Sequence, residues 1–327
     1  MYISKLDIKK ATGIDGISAK IMKLSYEHIL KPLTNVINFC YSENIFPDRM
    51  KIAQVVPLHK KNSILEKGNY RPVSILPTLS KIFERVIHSQ LSYFFNNHFH
   101  DMLSAFRPGY GCQSVLLKIV EDWKMALDSK KYTAAILMDL SKAFDCIPHD
   151  LILAKLNAYG LSANAITLIE SYLSNRKQCV KLGNVCSDFL ELYKGVPQSS
   201  ILGPVIFNIF INDIFHFISD CSLYNYADDN TLSKSCDDIK TLKDSLELNC
   251  SSLVKWFKDN QMQANPDKFQ CICLGKKTKE ENLTFEVDNN IIYPENEVKL
   301  LGVTIDFELN FNTHISNICK KKKPLNN

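Results

Sequence analysis

The chain lacks an apolar run at its N-terminus: the opening MYISKLDIKKATGIDG interleaves charges with single apolar residues, so no signal peptide is expected there. It also lacks a membrane-length segment. The longest apolar stretch, around 205–211, is far shorter than the roughly 20 residues that a spanning helix needs. These absences set the expectation of an intracellular, soluble protein of the nucleus or cytoplasm, with no membrane partner. No Cys-x-x-Cys pair occurs, although there are 11 cysteines. The number is odd and the positions are scattered. Cys271-Ile-Cys273 fits two alternating positions on a strand better than a metal site, so reduced, mostly buried thiols are expected, with zinc ranked below them. No internal repeat and no low-complexity linker interrupts the chain.

What is present is ordinary globular material: 327 residues, 46% hydrophobic and 23% charged, enough for one large domain or two subdomains. The net charge of +4 is unevenly spread. Residues 1–100 hold 14 Lys and Arg against 7 Asp and Glu, so the remaining 227 residues carry −3. A basic front half beside an acid-bearing middle suits a protein that grips phosphates with one part and cations with another; a solvated charged surface is the plainer alternative. The run 320–323 reads as a flexible tail, with a nuclear signal or nucleic-acid contact as its alternative.

Apolar residues recur every three or four positions through Leu79, Ile82, Phe83, Val86, Ile87, Leu91 and Phe94, which predicts a core-facing helix. Similar spacing predicts helices over 26–41, 114–127, 150–159, 163–173 and 237–257. Short apolar runs at 134–138, 223–227, 269–274 and 299–305 read as strands, and 285–292 reads as a hairpin turning at Asp288-Asn289-Asn290. The implied class is α+β, a small sheet packed on helices.

Two acidic positions need a reason. The run 134–138 shows no alternation, so both its faces look buried, and it ends in Asp139. Asp228 and Asp229 follow another short apolar strand, and Asn230 suits the reversal that begins a return strand. A hairpin turn is the plain account of Asp228-Asp229-Asn230, and a helix N-cap before Ser141-Lys-Ala-Phe is the plain account of Asp139. If the two strands are neighbours, however, carboxylates 89 positions apart in sequence meet, and the natural occupant is Mg²⁺. Two such ions would stabilise the attacking and leaving oxygens of an in-line phosphoryl displacement.

The segments YADD (226–229), AAILMDLSKAFD (134–145) and GVPQSSILGPVIFNIFINDI (195–214) resemble the central motifs of reverse transcriptases, in the form carried by non-LTR (LINE-type) retrotransposons. Further similarity lies in KKATGIDGISAKIMK (9–23), the segment 51–87, LSAFRPGYGCQS (103–114), NPDKFQCICLG (265–275) and KLLGVTID (299–306). Each motif alone is weak; eight in order cover nearly the whole chain. The flavour is that of the jockey/CR1-like branch.

The resemblance implies a right-hand polymerase: fingers over 1–130, a palm with a small, mostly antiparallel sheet over 131–306 interleaved with fingers helices, and a partial or absent thumb, with 307–327 as its start or a tail. It implies that Asp139 and Asp228 hold two Mg²⁺ ions, with Mn²⁺ as a substitute, that Asp229 supports them, and that the backbone carbonyl of Leu140 completes one shell. It makes Phe144 the aromatic that closes over the sugar and clashes with a ribose 2′-hydroxyl, with a core Phe as the alternative. Arg71 matches the residue that holds the incoming triphosphate, as does Lys60, for which Lys61 is an alternative. Gln198 matches the residue lining the nucleotide and template pocket. Lys268 matches a lysine that protonates departing pyrophosphate, and Leu301-Gly302 the motif supporting the primer end. The implied partners are an RNA template, a DNA primer and dNTPs.

The chain departs from the family in one place: the loop that usually reads Pro-Gln-Gly is Pro197-Gln198-Ser199-Ser200. A serine adds a side chain and a backbone restriction wherever a glycine had served close approach or a positive φ. Non-LTR proteins also usually carry an endonuclease before the polymerase and a thumb after it, so the chain is expected to be a fragment of a larger reading frame. The readings carried forward are an RNA-directed DNA polymerase, a catalytically impaired relic that keeps only nucleic-acid binding, and a viral RNA polymerase, against which Phe144 and the flanking motifs speak.

Overall fold

A computed structural model of the chain describes residues 2–60 and 62–321. Lys61, the alternative to Lys60, and residues 322–327, which contain the end of the basic run and of the expected thumb or tail, lie outside the described residues. In chain order the helices are α1 (Ala19–Leu24), α2 (Tyr26–Ser42), α3 (Thr78–Phe95), α4 (Cys112–Asp128), α5 (Ala143–Cys146), α6 (His149–Ala158), α7 (Ala163–Leu173), α8 (Gly203–Ile211), α9 (Ile239–Asp259), α10 (Gly275–Glu280) and α11 (Asn312–Lys321). The strands are β1 (Ile52–His59), β2 (Tyr70–Ile75), β3 (Tyr132–Ser141), β4 (Arg176–Leu182), β5 (Val185–Cys186), β6 (Leu190–Leu192), β7 (Ser222–Tyr226), β8 (Asp229–Cys236), β9 (Gln263–Ala264), β10 (Gln270–Leu274), β11 (Phe285–Val287), β12 (Asn290–Ile292), β13 (Glu297–Leu300) and β14 (Val303–Asp306). All six helices expected from apolar spacing are present, within a few residues of their expected ends.

The chain gathers into two compact units, one from 1–98 and 144–210, the other from 99–143 and 211–327. Residues 99–130 fall in the second unit, for a packing reason. Helix α4 buries Val115, Ile119 and Trp123 in one core with Ala135 and Leu137 of β3 and Ile272 of β10.

In the first unit, a mixed sheet of order β2-β1-β4-β5, with β6 also on β4, was not among the strands expected. Its leading hairpin is disguised. Pro57 of β1 lies directly opposite Pro72 of β2, and a proline within a run argues against a strand. Strand β1 also pairs with β4 in parallel, over Ile52–Val55. Helix α3 turns Ile82, Phe83, Ile87, Leu91 and Phe95 inward, and the Phe83 ring stacks on Phe46 with centroids 4.9 Å apart.

The second unit is built on an antiparallel sheet of order β10-β3-β8-β7, with β9 pairing the end of β3. The central position of β3 explains the lack of alternation at 134–138, since every residue of that run is buried. Two expectations need correction here. Strand β3 does not end at Asp139 but continues through Leu140 and Ser141, which pair with Ala264 and Gln263, so Asp139 lies inside a strand and is no helix N-cap. The segment 299–305 is not one strand but the hairpin β13–β14, turned by Leu301 (φ +47°) and Gly302 (φ +88°). Two successive left-handed residues are what a tight hairpin with right-handed strand twist requires. The expected hairpin over 285–292 is present as β11–β12, where Asp288 and Asn289, at φ +51° and +62°, play the same part.

All 11 cysteines are free thiols, and Cys271 and Cys273 are both buried on β10. Among the described residues no helix is long and apolar enough to cross a membrane.

Candidate active site

The antiparallel register of β3 and β8 sets Asp139 directly across from Asp229. Directly paired residues share one face of a sheet with Cβ atoms about 5 Å apart, so two carboxylates stand together there. Asp228 occupies the adjoining turn between β7 and β8. The neighbour of Asp139 on the paired strand is thus Asp229 rather than Asp228, because β3 pairs with the return strand β8. Burial, followed by the charges of Asp228 and Asp139, pushes the Asp229 carboxyl up to about 6. That shift is the signature of like charges crowded in a half-dry place.

Among the described residues no three His, Cys, Asp or Glu side chains already form a metal site. What the register provides is an open set of hard oxygens with a repulsive field. Such a set fits a hard cation that keeps water and phosphate oxygens in its shell. Leu140 follows Asp139 on β3, and its buried side chain falls on the opposite face of the strand. Lys268 is exposed at the end of a single 3-10 turn, Pro266–Lys268, that leads into β10. Leu301 and Gly302 form the β13–β14 turn, with Leu301 packed against the core that contains Val298 and Ile305.

A second group of predicted residues lies in the first unit, around the loop 195–202. Gly195 has φ +77°, and a Cβ there would fall 2.6 Å from the carbonyl oxygen of Asp145. Its amide donates to the Ile147 carbonyl at 2.7 Å and that of Val196 to the Phe144 carbonyl at 2.9 Å, so the loop is pinned along 144–147. Gln198 extends this seam: its Nε2 donates to the Asp145 carboxylate at 3.1 and 3.2 Å, and its carbonyl accepts from the Ser74 amide of β2 at 3.1 Å. Ser199 is exposed and has φ +77°. The Phe144 ring is half-buried and stacks on Phe207 of α8, centroids 4.6 Å apart.

The loop is also held from behind. Glu84 of α3, with no exposed surface, accepts from the amides of Ile201 at 2.6 Å and Leu202 at 3.2 Å, and from the Ser80 hydroxyl at 2.9 Å. It thereby satisfies donors at the entry to α8. Burial raises its carboxyl above the usual range, opposed by the charge of buried Arg176. Arg176 donates to the Tyr172 carbonyl at 2.8 Å and lies over that ring.

Lys60 and Arg71 lie on the β1–β2 hairpin and are both exposed. Arg71 is opposite Leu58, and the Lys60 amide donates to the Asn69 carbonyl at 2.8 Å, which continues the register. The two-residue period therefore puts both cations on one face. Of the residues that do structural work at these sites, sequence reading passed over Glu84, Asp145, Gly195 and Asn225. Gly195, two residues before Pro197 in a turn-forming stretch, carried a visible signal.

A family model described as "Reverse transcriptase (RNA-dependent DNA polymerase)" matches residues 58–305, three quarters of the chain and both acidic positions. The chain belongs to the reverse transcriptase family. Its reverse transcriptase sequence is 28% identical over 324 residues to a probable RNA-directed DNA polymerase from transposon BS of Drosophila melanogaster, covering 96% of this chain and 36% of that protein. It is 26% identical over 331 residues to the RNA-directed DNA polymerase from mobile element jockey of the same fly, covering 97% and 35%. This is therefore a reverse transcriptase domain of the non-LTR retrotransposon kind, and it spans about a third of the length of those curated relatives. Its fold is similar to that of telomerase from Candida tropicalis: a truncated apo form superposes with TM-score 0.56 at 13% identity, covering 87% of this chain and 59% of that one. A second apo structure gives 0.57 at 13% identity, covering 86% and 53%. Divalent metal use is general to reverse transcriptases.

Proposed function

We propose that this reverse transcriptase domain extends a DNA primer on an RNA template: the primer 3′-hydroxyl attacks the α-phosphate of a deoxynucleoside triphosphate, and pyrophosphate leaves. The observation that carries the reading is the Asp139–Asp229 pair, with Asp228 in the adjoining turn, in a chain of this family. Relatives that are RNA-directed DNA polymerases by name, and telomerase structures in complex with a fragment of telomeric RNA, support an RNA partner.

In this reading Asp139 and Asp228, with the Leu140 carbonyl, hold two Mg²⁺ ions, for which Mn²⁺ can substitute, and Asp229 supports them. When bound, such ions stabilise charge on the attacking and leaving oxygens. The protein's own part is chiefly positioning and charge. Arg71 and Lys60 donate to the triphosphate, a task suited to cations that share one face of a hairpin. Phe144 bounds the sugar and excludes a 2′-hydroxyl, its ring held by the stack on Phe207. Gln198, tied to Asp145 and Ser74, lines the nucleotide and template pocket. Lys268 gives a proton to the departing pyrophosphate, and Leu301-Gly302 supports the primer end. The mixed sheet of the first unit serves as fingers, the antiparallel sheet of the second as palm, and the place of work is inside the cell.

A second reading, a relic that binds nucleic acid without extending a primer, draws on Ser199, whose φ of +77° burdens the loop that presents Gln198. Primer extension on an RNA template with Mg²⁺ and dNTPs separates the two. The polymerase reading expects extension that Asp228→Ala lowers by ~10²-fold or more, the scale on which a lost charge-stabilising group acts. Binding without Asp228-dependent extension, in both the native chain and Ser199→Gly, establishes the relic. A preference for ribonucleotides identifies an RNA polymerase instead.

A further inference from the structure

The turn that carries Asp228 is strained and is held by two side chains to which no role has been given. Ala227 has φ +56°, a left-handed conformation that a residue with a Cβ adopts only when its surroundings impose it. The neighbouring carboxylates add repulsion, so the turn needs an outside restraint. Asn225, with no exposed surface, donates from Nδ2 to the Ala227 carbonyl at 2.9 Å and to Oδ1 of Asn230 at 2.9 Å. Asn230, only 1% exposed, donates from its own Nδ2 to the Asp228 carbonyl at 3.2 Å.

These bonds reach two particular carbonyls. The Ala227 oxygen belongs to the peptide plane that precedes the Asp228 Cα, and the Asp228 oxygen to the plane that follows it. With both planes tethered, the direction of the Asp228 Cα–Cβ bond is fixed, and only the side-chain torsions remain free. The tether has its own foundation, since the Asn225 amide donates to the Met102 carbonyl and its carbonyl accepts from the Ser104 amide, both at 3.1 Å. The orientation of the Asn225 carboxamide is also forced. A flip would turn Oδ1 toward the Ala227 carbonyl, acceptor against acceptor, so Nδ2 must face it. Oδ1 is left buried without a hydrogen-bond partner among the described residues. A core chosen for stability alone avoids such an atom; a position that must supply a donor at one point accepts it.

We propose that Asn225 and Asn230 are positioning residues of the polymerase reaction, a carboxamide clamp that sets the aim of the Asp228 carboxylate and thereby the affinity of the carboxylate set for a divalent cation. The proposal rests on reading Asp228 as a metal-binding residue. It makes the donor nitrogens the functional atoms, so side chains of nearly the same shape without those donors lose the function. Asn225→Asp replaces the donor by an acceptor at constant size. Asn230→Ser withdraws the bond to Asp228 without adding charge.

The test measures Mn²⁺ binding by calorimetry on the full 327-residue chain, and primer extension as a function of Mg²⁺ and of dNTP concentration. Thermal melting checks that each variant is folded. Both variants are expected to bind Mn²⁺ at least ~10-fold more weakly than the native chain, the usual effect of losing a group that orients a ligand. The half-saturating Mg²⁺ concentration should rise in step, while KM for dNTP stays within about twofold. Native metal affinity and Mg²⁺ dependence in a folded variant overturn the clamp while leaving the polymerase reading intact. If Asn225→Asp does not fold, Asn230→Ser decides by the same criteria. Mn²⁺ binding or extension that Asp228→Ala leaves unchanged in the native background overturns the underlying reading, and the clamp with it.

Discussion

Asp139 faces Asp229 across the β3–β8 ladder, two carboxylates on one face of a sheet. The pairing makes Asp229 the group whose protonation reports on the whole set.

Its titration gives the first prediction. The folded-state value, about 6, lies above the ordinary 3.8, so the folded chain holds this proton more tightly than the unfolded one. The contribution to stability is therefore full below pH ~4 and lost as pH rises through about 6. Half-buried histidines such as His88 and His149, whose values are lowered by desolvation, act in the opposite sense on acidification. The difference between Asp229→Asn and the native chain isolates the carboxylate. In EDTA, Asp229→Asn should melt a few degrees higher at pH 8, and the gap should close below pH 5. A gap independent of pH, measured by thermal melting, refutes the assignment.

Ser199 sits at φ +77° with its side chain in solvent. Glycine removes a left-handed penalty of roughly 1–2 kcal/mol and adds ~0.5–1 kcal/mol of unfolded-chain entropy. Ser199→Gly should thus be stabilising by up to about 1 kcal/mol and should not slow extension. Urea unfolding monitored by circular dichroism measures the first, and single-nucleotide incorporation the second.

Gly195 allows the opposite experiment. A methyl group at this position overlaps the Asp145 backbone, with its carbonyl oxygen 2.6 Å away, and the backbone is left-handed as well. The combined steric and torsional cost is ~3 kcal/mol or more. Gly195→Ala should lower the unfolding midpoint sharply and raise KM for dNTP, because the Gln198–Asp145 contact depends on the same seam. An unchanged midpoint would show that the seam yields easily.

Glu84 combines two duties, accepting the amides that open α8 and offsetting the charge of Arg176. Glu84→Leu removes both at once, leaving two donors unmet and a buried guanidinium unbalanced, for a loss of about 3–5 kcal/mol. Glu84→Gln keeps an acceptor for the amides and should cost distinctly less. Equal losses in denaturant titrations would mean that the charge, not the hydrogen bonding, is what matters.

The legibility of the sequence followed the physics of each element. Helix α3 could be read because Ile82, Phe83, Ile87 and Leu91 share one buried face, and β3 because a strand covered on both sides has no polar interruption. The Asp139 and Asp228-Asp229 positions stood out as charges at the ends of apolar runs. Strands β1 and β2 were hidden by their prolines. The Leu301-Gly302 turn was hidden because a leucine gives no warning of a positive φ. Nothing in the sequence sets Glu84 apart from other charges on an amphipathic helix, or Asn225 from other polar residues before a turn. In both cases the decisive partner is a backbone amide or carbonyl, and backbone groups leave no mark in a sequence. For Glu84 that partner lies more than 100 positions away.

The opposed Pro57 and Pro72 have a mechanical consequence. Strand β4 stays with β1 only as far as Val55, so from Val56 outward the sheet narrows to a ribbon of two strands. A ribbon of that width has little stiffness of its own, and prolines on both strands deny a third strand the amides it needs to join. Lys60 and Arg71 therefore lie on a two-stranded arm that extends from a wider sheet. If Lys60 and Arg71 meet a triphosphate, as proposed, they do so from the two-stranded part of the sheet and not from its wider base.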